Sequence, residues 1–314
     1  MANLNVSRSG QVNLTGDVQA LWEKVFAGEI LTTFNATNVF GDKHVVRTVQ
    51  SGKSASFPAI GKVTAEYHVP GTQLVGTPVA HNEKIITIDD LLLANVMIAD
   101  IDEAKNHYEV RGEYTKQMGE ALAVAYDRNV ARVGVQNARA SAVVNGMAGG
   151  TVIAGGANVR TDGALIKNVL FTAARTFDEN NVAPSDRFAF MRPITYYAAA
   201  ATTDLVNKDW GGAGSIASGT IETLAGITLV KTNHLPNTDE SAAANVLAKY
   251  RGNYANTAML IQNRMAVGTV KLMDISFQSE YLMLFQATGL VARMAVGHGG
   301  LRPDCGIEVT TAVA

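Results

Sequence analysis

Three groups of residues have the types and spacing that chemistry would need. They are Gly52-Lys53-Ser54, the set Asp100, Asp102, Glu103 and His107, and the glycine series Gly212, Gly214 and Ala217. A Gly-Lys-Ser triplet ends a phosphate-binding loop when a glycine stands five residues earlier and a helix follows, because backbone N–H groups then converge on the anion. Arg47 occupies that earlier position, and Phe57-Pro58 opens an extended run. A turn carrying an exposed lysine fits better. The glycine series would suit a dinucleotide only after a buried strand, with an acidic residue about twenty positions on. The preceding residues are VNKDW, so a flexible glycine loop is expected. Glu103 and His107 are one turn apart on a helix, but no thiol or second histidine completes a zinc set. Acids collect at a helix N-terminus for the dipole alone, so a solvated or inter-subunit helix face is expected. His44, His68, His81, His234 and His298 are scattered and form no HExxH, and no GxSxG elbow occurs. The sequence announces no catalytic, cofactor or metal site.

The element that must position everything else is a helix expected over about 100–138. Asp100 or Asp102 can cap it, and Asp102 and Glu103 suit its positive end. Ile101, Ala104, Tyr108, Met118, Leu122, Tyr126, Val130 and Val133 recur at helical spacing. Charged residues from Lys105 to Arg132 form the other face. At about 1.5 Å per residue this helix is roughly 50–60 Å long. Such a length suits a spine with other elements laid along it. Gly112 and Gly119 each cost about 1 kcal/mol against alanine and are expected to mark close packing or a bend.

Residues 1–20 are polar and read as an arm, followed by a short amphipathic helix at Leu21–Phe40. His44–Asp90 alternates strand-like runs with proline and glycine breaks, with few residues to bury. A long hairpin with so small a core is marginal alone, which points to packing on a neighbouring subunit. A Gly/Ala-rich linker, 141–163, leads to an α/β region of roughly 110 residues. Its expected elements are a helix at Ala164–Asp178, a strand at Asp186–Pro193, a helical ITYYAAAATT and a strand at Ile227–Pro236. The region from Leu272 onward reads as long antiparallel strands lying against the spine. The 314 residues are 47% apolar and 17% charged, with net charge −2 and one cysteine, Cys305. That balance disfavours a dedicated nucleic-acid binder. It excludes an internal disulfide framework and suits a reducing compartment. No apolar run approaches the ~20 residues of a membrane span, and MANLNVSRSGQVNL does not suggest a secretory signal.

Four blocks carry a resemblance: SGKSASFPAIGK (Ser51–Lys62), Glu83–Ala123, AVGTVKL (Ala266–Leu272) and AVGHGGLRP (Ala295–Pro303). They resemble the major capsid protein of short-tailed bacteriophages of the autographivirus group. The resemblance implies an α+β fold of the Hong Kong 97 type. Its expected parts are an N-terminal arm (1–43), an extended β loop (44–90), a peripheral domain (91–140 and 266–314) with the spine helix, and an axial domain (141–265). The implied function is a non-enzymatic virion shell protein. It would assemble in the host bacterial cytoplasm as hexamers and pentamers of an icosahedral head. Scaffolding protein, a portal at one vertex and enclosed double-stranded DNA are the implied partners, with no cofactor and no membrane. The alternative is an encapsulin-like bacterial nanocompartment shell of the same fold. Lys53, Ser54 and Phe57, at an expected loop tip over Ser51–Ser56, are the candidate contacts to a neighbouring subunit. Some proteins of this fold cross-link a lysine to an asparagine. Nothing in the sequence places an asparagine and an acid beside Lys53, so a shell without covalent links is expected.

Overall fold

The structure, a computed structural model, describes residues 38–312 except 64, 72, 74–75, 77, 102–110 and 203–222. The arm, nearly all of the Leu21–Phe40 helix, the set Asp102, Glu103 and His107, and the Gly212–Ala217 series therefore lie outside the described residues. The chain divides into two compact units, one holding 89–126 and 272–296, the other 39–88, 127–271 and 297–314.

The larger unit is built on a six-stranded sheet. In chain order its strands are β5 (Thr151–Ala154), β6 (Arg187–Met191), β7 (Thr223–Leu224), β8 (Ile227–Lys231), β9 (Thr257–Asn263) and β12 (Gly306–Thr310). Their spatial order is β5-β12-β9-β6-β8-β7. Every residue of the β9 run TAMLIQN is buried, and its centre, Ala258–Ile261, is a continuous apolar run as a strand covered on both faces requires. Helix α2 (Gly163–Glu179) buries Ile166, Val169, Leu170, Ala173, Ala174 and Phe177, a stripe at helical spacing. Its start is fixed by Asp162, whose carboxylate accepts the Ala164 N–H at 2.9 Å. Helix α3 (Pro193–Ala200) opens on proline, which has no N–H to leave unpaired.

Two strands depart from the sequence expectation. β5 lies inside the stretch read as a linker. β12 was expected among the strands against the spine, yet it pairs parallel with β5 and antiparallel with β9. Residues 306–310 therefore belong to the same sheet as the middle of the chain.

The spine is helix α1, described from Arg111 to Ala138, 28 residues. Met118, Leu122, Tyr126, Val130 and Val133 are buried, as the spacing predicts, while Ile101 is 57% exposed and lies outside the packed stripe. Gly112 has nothing near it, and the closest approach to a spine glycine is at Gly134, against Leu260. In the smaller unit, β4 (Leu92–Ala99) pairs antiparallel with the first part of β11 (Ala287–Gly300), from Leu92 opposite Met294 to Ala99 opposite Ala287. Gly119 faces the Phe277 ring of β10 (Val267–Leu282) there. The long strands expected after Leu272 are thus present in β10 and β11. In the larger unit β1 (Val45–Thr48) pairs parallel with the start of β10.

Candidate inter-subunit surface

β2 (Ser54–Ile60) and β3 (His81–Thr87) form an antiparallel hairpin. Its register runs from Ser54 opposite Thr87 to Ile60 opposite His81. Ser51–Ser56 is therefore the root of the hairpin and not its tip, which is formed by residues beyond Ile60. Pleating sends alternate side chains to one face. Ala55 and Ile86 point inward with Val270 and Leu301, and Phe57, Val45, Val49 and Ile88 pack around them. Arg47 lies over the Phe57 ring, 5.6 Å from its centre, and donates to the Ser56 carbonyl at 3.2 Å. Phe57 is thus half-buried against its own subunit.

Lys53 and Ser54 are exposed. The Lys53 carbonyl accepts the Ile88 N–H at 2.9 Å, which anchors the backbone, and its ammonium has no acid partner among the described residues. Gly52 has φ +121°, a conformation that other residues rarely adopt. The three residues read from the sequence are neighbours, but only Lys53 and Ser54 face outward. What the sequence reading missed lies further along: Ile60 is 61% exposed, Val63 71% and Val69 64%, with Tyr67 wholly exposed. Beside the root of this row, Phe57–Ile60, Val143, Met147, Met265 and Leu301–Asp304 line a cavity of about 250 Å³. Exposed β-branched and aromatic residues at the end of β2 and in the segment after it are the available signal, since a solvated segment would carry polar ones.

Buried polar groups among the described residues are tied into the fold by hydrogen bonds between distant segments. Asp127, on α1 and fully buried, accepts the N–H of Val39 at 2.6 Å and of Phe40 at 3.3 Å. It also meets His234 Nδ1 at 3.0 Å. His44 Nδ1 lies 2.7 Å from the Phe40 carbonyl, so it carries the proton. His44 Nε2 must then accept from the Thr269 hydroxyl at 2.8 Å, whose oxygen receives the His298 Nδ1–H at 2.8 Å. Burial pushes both imidazoles below the ordinary histidine pKa, His298 to about 3. Arg139 grips Glu308 through two bonds of 2.5 and 2.7 Å, and Thr257 donates to the same carboxylate at 2.6 Å. Burial pushes the Cys305 thiol up to about 12, so little reactive thiolate forms. Among the described residues no group of histidines, cysteines and acids is placed to hold a metal.

Residues 56–310 match the family described as Gp10A-like major capsid protein. The chain is 37% identical to the major capsid protein of Escherichia phage T7, covering 92% of this chain and 91% of that one. It is 35% identical to the major capsid protein of Enterobacteria phage T3, covering 95% and 93%. A chain from the capsid of the cyanophage P-SCSP1u superposes with a TM-score of 0.85 at 43% identity, over all of both chains.

Proposed function

The chain belongs to the Gp10A-like major capsid protein family, and from that premise we propose how it builds a shell. The protein is a structural component of a tailed-phage virion, with the Hong Kong 97-type fold, and forms an icosahedral capsid. It works as hexamers and pentamers, with no catalytic step. It is assembled in the host cytoplasm around scaffolding protein, joined at one vertex by a portal, and later encloses double-stranded DNA. The nanocompartment alternative has no support among these relatives. The axial domain is the six-stranded sheet with its helices, β12 included, and the extended loop is the β2–β3 hairpin with the residues between its strands. Among the described residues no helix is long and apolar enough to cross a membrane.

The observation that carries the assembly reading is the row Ile60, Val63, Tyr67 and Val69, apolar and exposed beyond the hairpin's own small core. Covering such side chains is worth about 25 cal/mol per Å², and a neighbouring subunit supplies the cover. The test is sedimentation and negative-stain imaging of the purified chain, with hydrogen exchange over 54–87. Closed shells and slowed exchange across the hairpin are expected. A chain that stays monomeric at high concentration, with the hairpin already protected, would refute the reading.

A further inference from the structure

Away from the hairpin, a polar cavity of about 290 Å³ opens in the larger unit between α1, the start of α3 and the loop after β8. Arg128, Arg132, Arg192, Asn233, His234, Asn237 and Glu240 supply its polar lining. One guanidinium is already matched: Arg132 clasps Glu240 through bonds of 2.7 and 3.2 Å and donates to Asn129 at 2.9 Å. His234 is held from behind by Asp127. Arg128 and Arg192 have no acid partner among the described residues. Arg128 is exposed, and Arg192 is half-buried at the N-terminal cap of α3. Two guanidiniums without an acid partner among the described residues, a third held rigid and two side-chain amides all line one concavity. In a chain of net charge −2 this positive charge is local.

We propose that this cavity binds phosphate groups, with the phosphodiester backbone of nucleic acid as their source. Guanidinium forks match phosphate oxygens in pairs of hydrogen bonds, and amide N–H groups supply the remaining donors. Arg132 stays with Glu240 and stiffens the wall, while Arg128 and Arg192 meet the anion. Binding of this kind reads charge and not sequence, and each copy of the chain in a shell offers one such cavity. The phosphate chemistry stands on the cavity alone. Only the nucleic-acid source rests on the capsid reading.

The experiment measures binding of a 20-base-pair duplex and, separately, of inorganic pyrophosphate to the full-length chain across a salt series. The variants are Arg128→Gln with Arg192→Gln, and, as a control of equal charge, Lys167→Gln with Arg175→Gln on α2. The cavity variant is expected to bind both probes at least tenfold more weakly at low salt. Its plot of log affinity against log salt should be shallower by about 0.9 for each phosphate that the variant no longer neutralises, while the control keeps the wild-type slope. Loss of pyrophosphate binding in the cavity variant, beside a wild-type chain that ignores the duplex, would uphold the phosphate site and overturn its nucleic-acid source. Equal affinities and slopes in cavity variant and wild type would overturn the proposal. Failure of that variant to close shells with its phosphate binding intact would overturn it too, in favour of an acidic side chain of a second copy. Because binding is read on the chain itself, an assembly failure leaves the outcome legible.

Discussion

Asp127 sits on the apolar side of a helix, where a carboxylate is costly unless every oxygen is used. Its partners, the N–H groups of Val39 and Phe40 and the His234 ring, come from two distant stretches of chain. Asp127→Asn turns one acceptor oxygen into a donor facing other donors. A loss of about 1–3 kcal/mol is expected, with faster amide exchange at Val39 and Phe40 as the local readout. Glu308→Ala removes the carboxylate shared by Arg139 and Thr257, leaving Arg139 with its bond to the Asn253 carbonyl at 2.7 Å. Arg139 is about a third exposed, so the cost should fall near ~2–3 kcal/mol, below that of a fully buried pair. It is read from the thermal unfolding midpoint. The His44–Thr269–His298 chain predicts an acid limit. Both imidazoles have folded pKa values below their unfolded ones, so the unfolded chain takes up protons first as pH falls. Their contribution is full above about pH 6.5 and declines as pH falls below it; for His298 the decline runs on towards about pH 3, at up to ~1.4 kcal/mol per pH unit. His298→Gln should flatten that decline in unfolding midpoints measured between pH 4 and 7, and an unchanged slope would assign it elsewhere. None of these partnerships was legible in the sequence. The residues of each lie far apart in the chain, and a lone buried Asp, His or Glu looks like any other.

Helix α1 shows what periodicity can and cannot reveal. Its buried stripe from Met118 to Val133 was readable because a 3.6-residue repeat reports which side is covered. Which glycine is tight was not, because that depends on the surface opposite. A methyl group at Gly134 would sit 2.6 Å from Leu260 Cδ2 and 2.9 Å from Gln262 Oε1, both on buried residues of β9. At Gly112 it would meet nothing within 4 Å. Gly112→Ala should therefore stabilise the chain by about 0.5–1 kcal/mol. Gly134→Ala should destabilise it by about 1–2 kcal/mol, since crowding outweighs helix propensity. Opposite shifts in thermal midpoint check the pair. Strands were legible where apolar residues ran together, as in β6 and β8, while β9 was passed over as a connecting stretch. β5 was hidden because four residues in a Gly/Ala-rich stretch carry little pattern. The direction of the β2–β3 hairpin was misread because alternation fixes faces while register fixes ends.

At the scale of the molecule the outward surfaces decide the outcome. Lys53→Glu should lower shell yield while leaving the subunit folded. An exposed pair is worth only about 0–1 kcal/mol, but it is repeated at every copy. Val63→Asp with Tyr67→Asp should lower it further, since these residues have no role in their own subunit's core. Particle yield by sedimentation, beside unfolding of the soluble chain, separates assembly from folding. Mature particles boiled in detergent and reductant should give one band at the mass of a single chain, as expected of non-covalent contacts and an unreactive Cys305. A ladder would make Lys53 a reactive site. One feature of the sheet also reaches into synthesis. β12 lies between β5 and β9, with Ile307 paired to Thr151 across 156 positions of chain. During translation β5 leaves the ribosome long before β12, its sheet neighbour among the described residues, has been made. A chain ended before residue 306 lacks β12, which leaves the facing edges of β5 and β9 unpaired with it, so such truncated products are expected to be absent from shells when particles are separated by sedimentation.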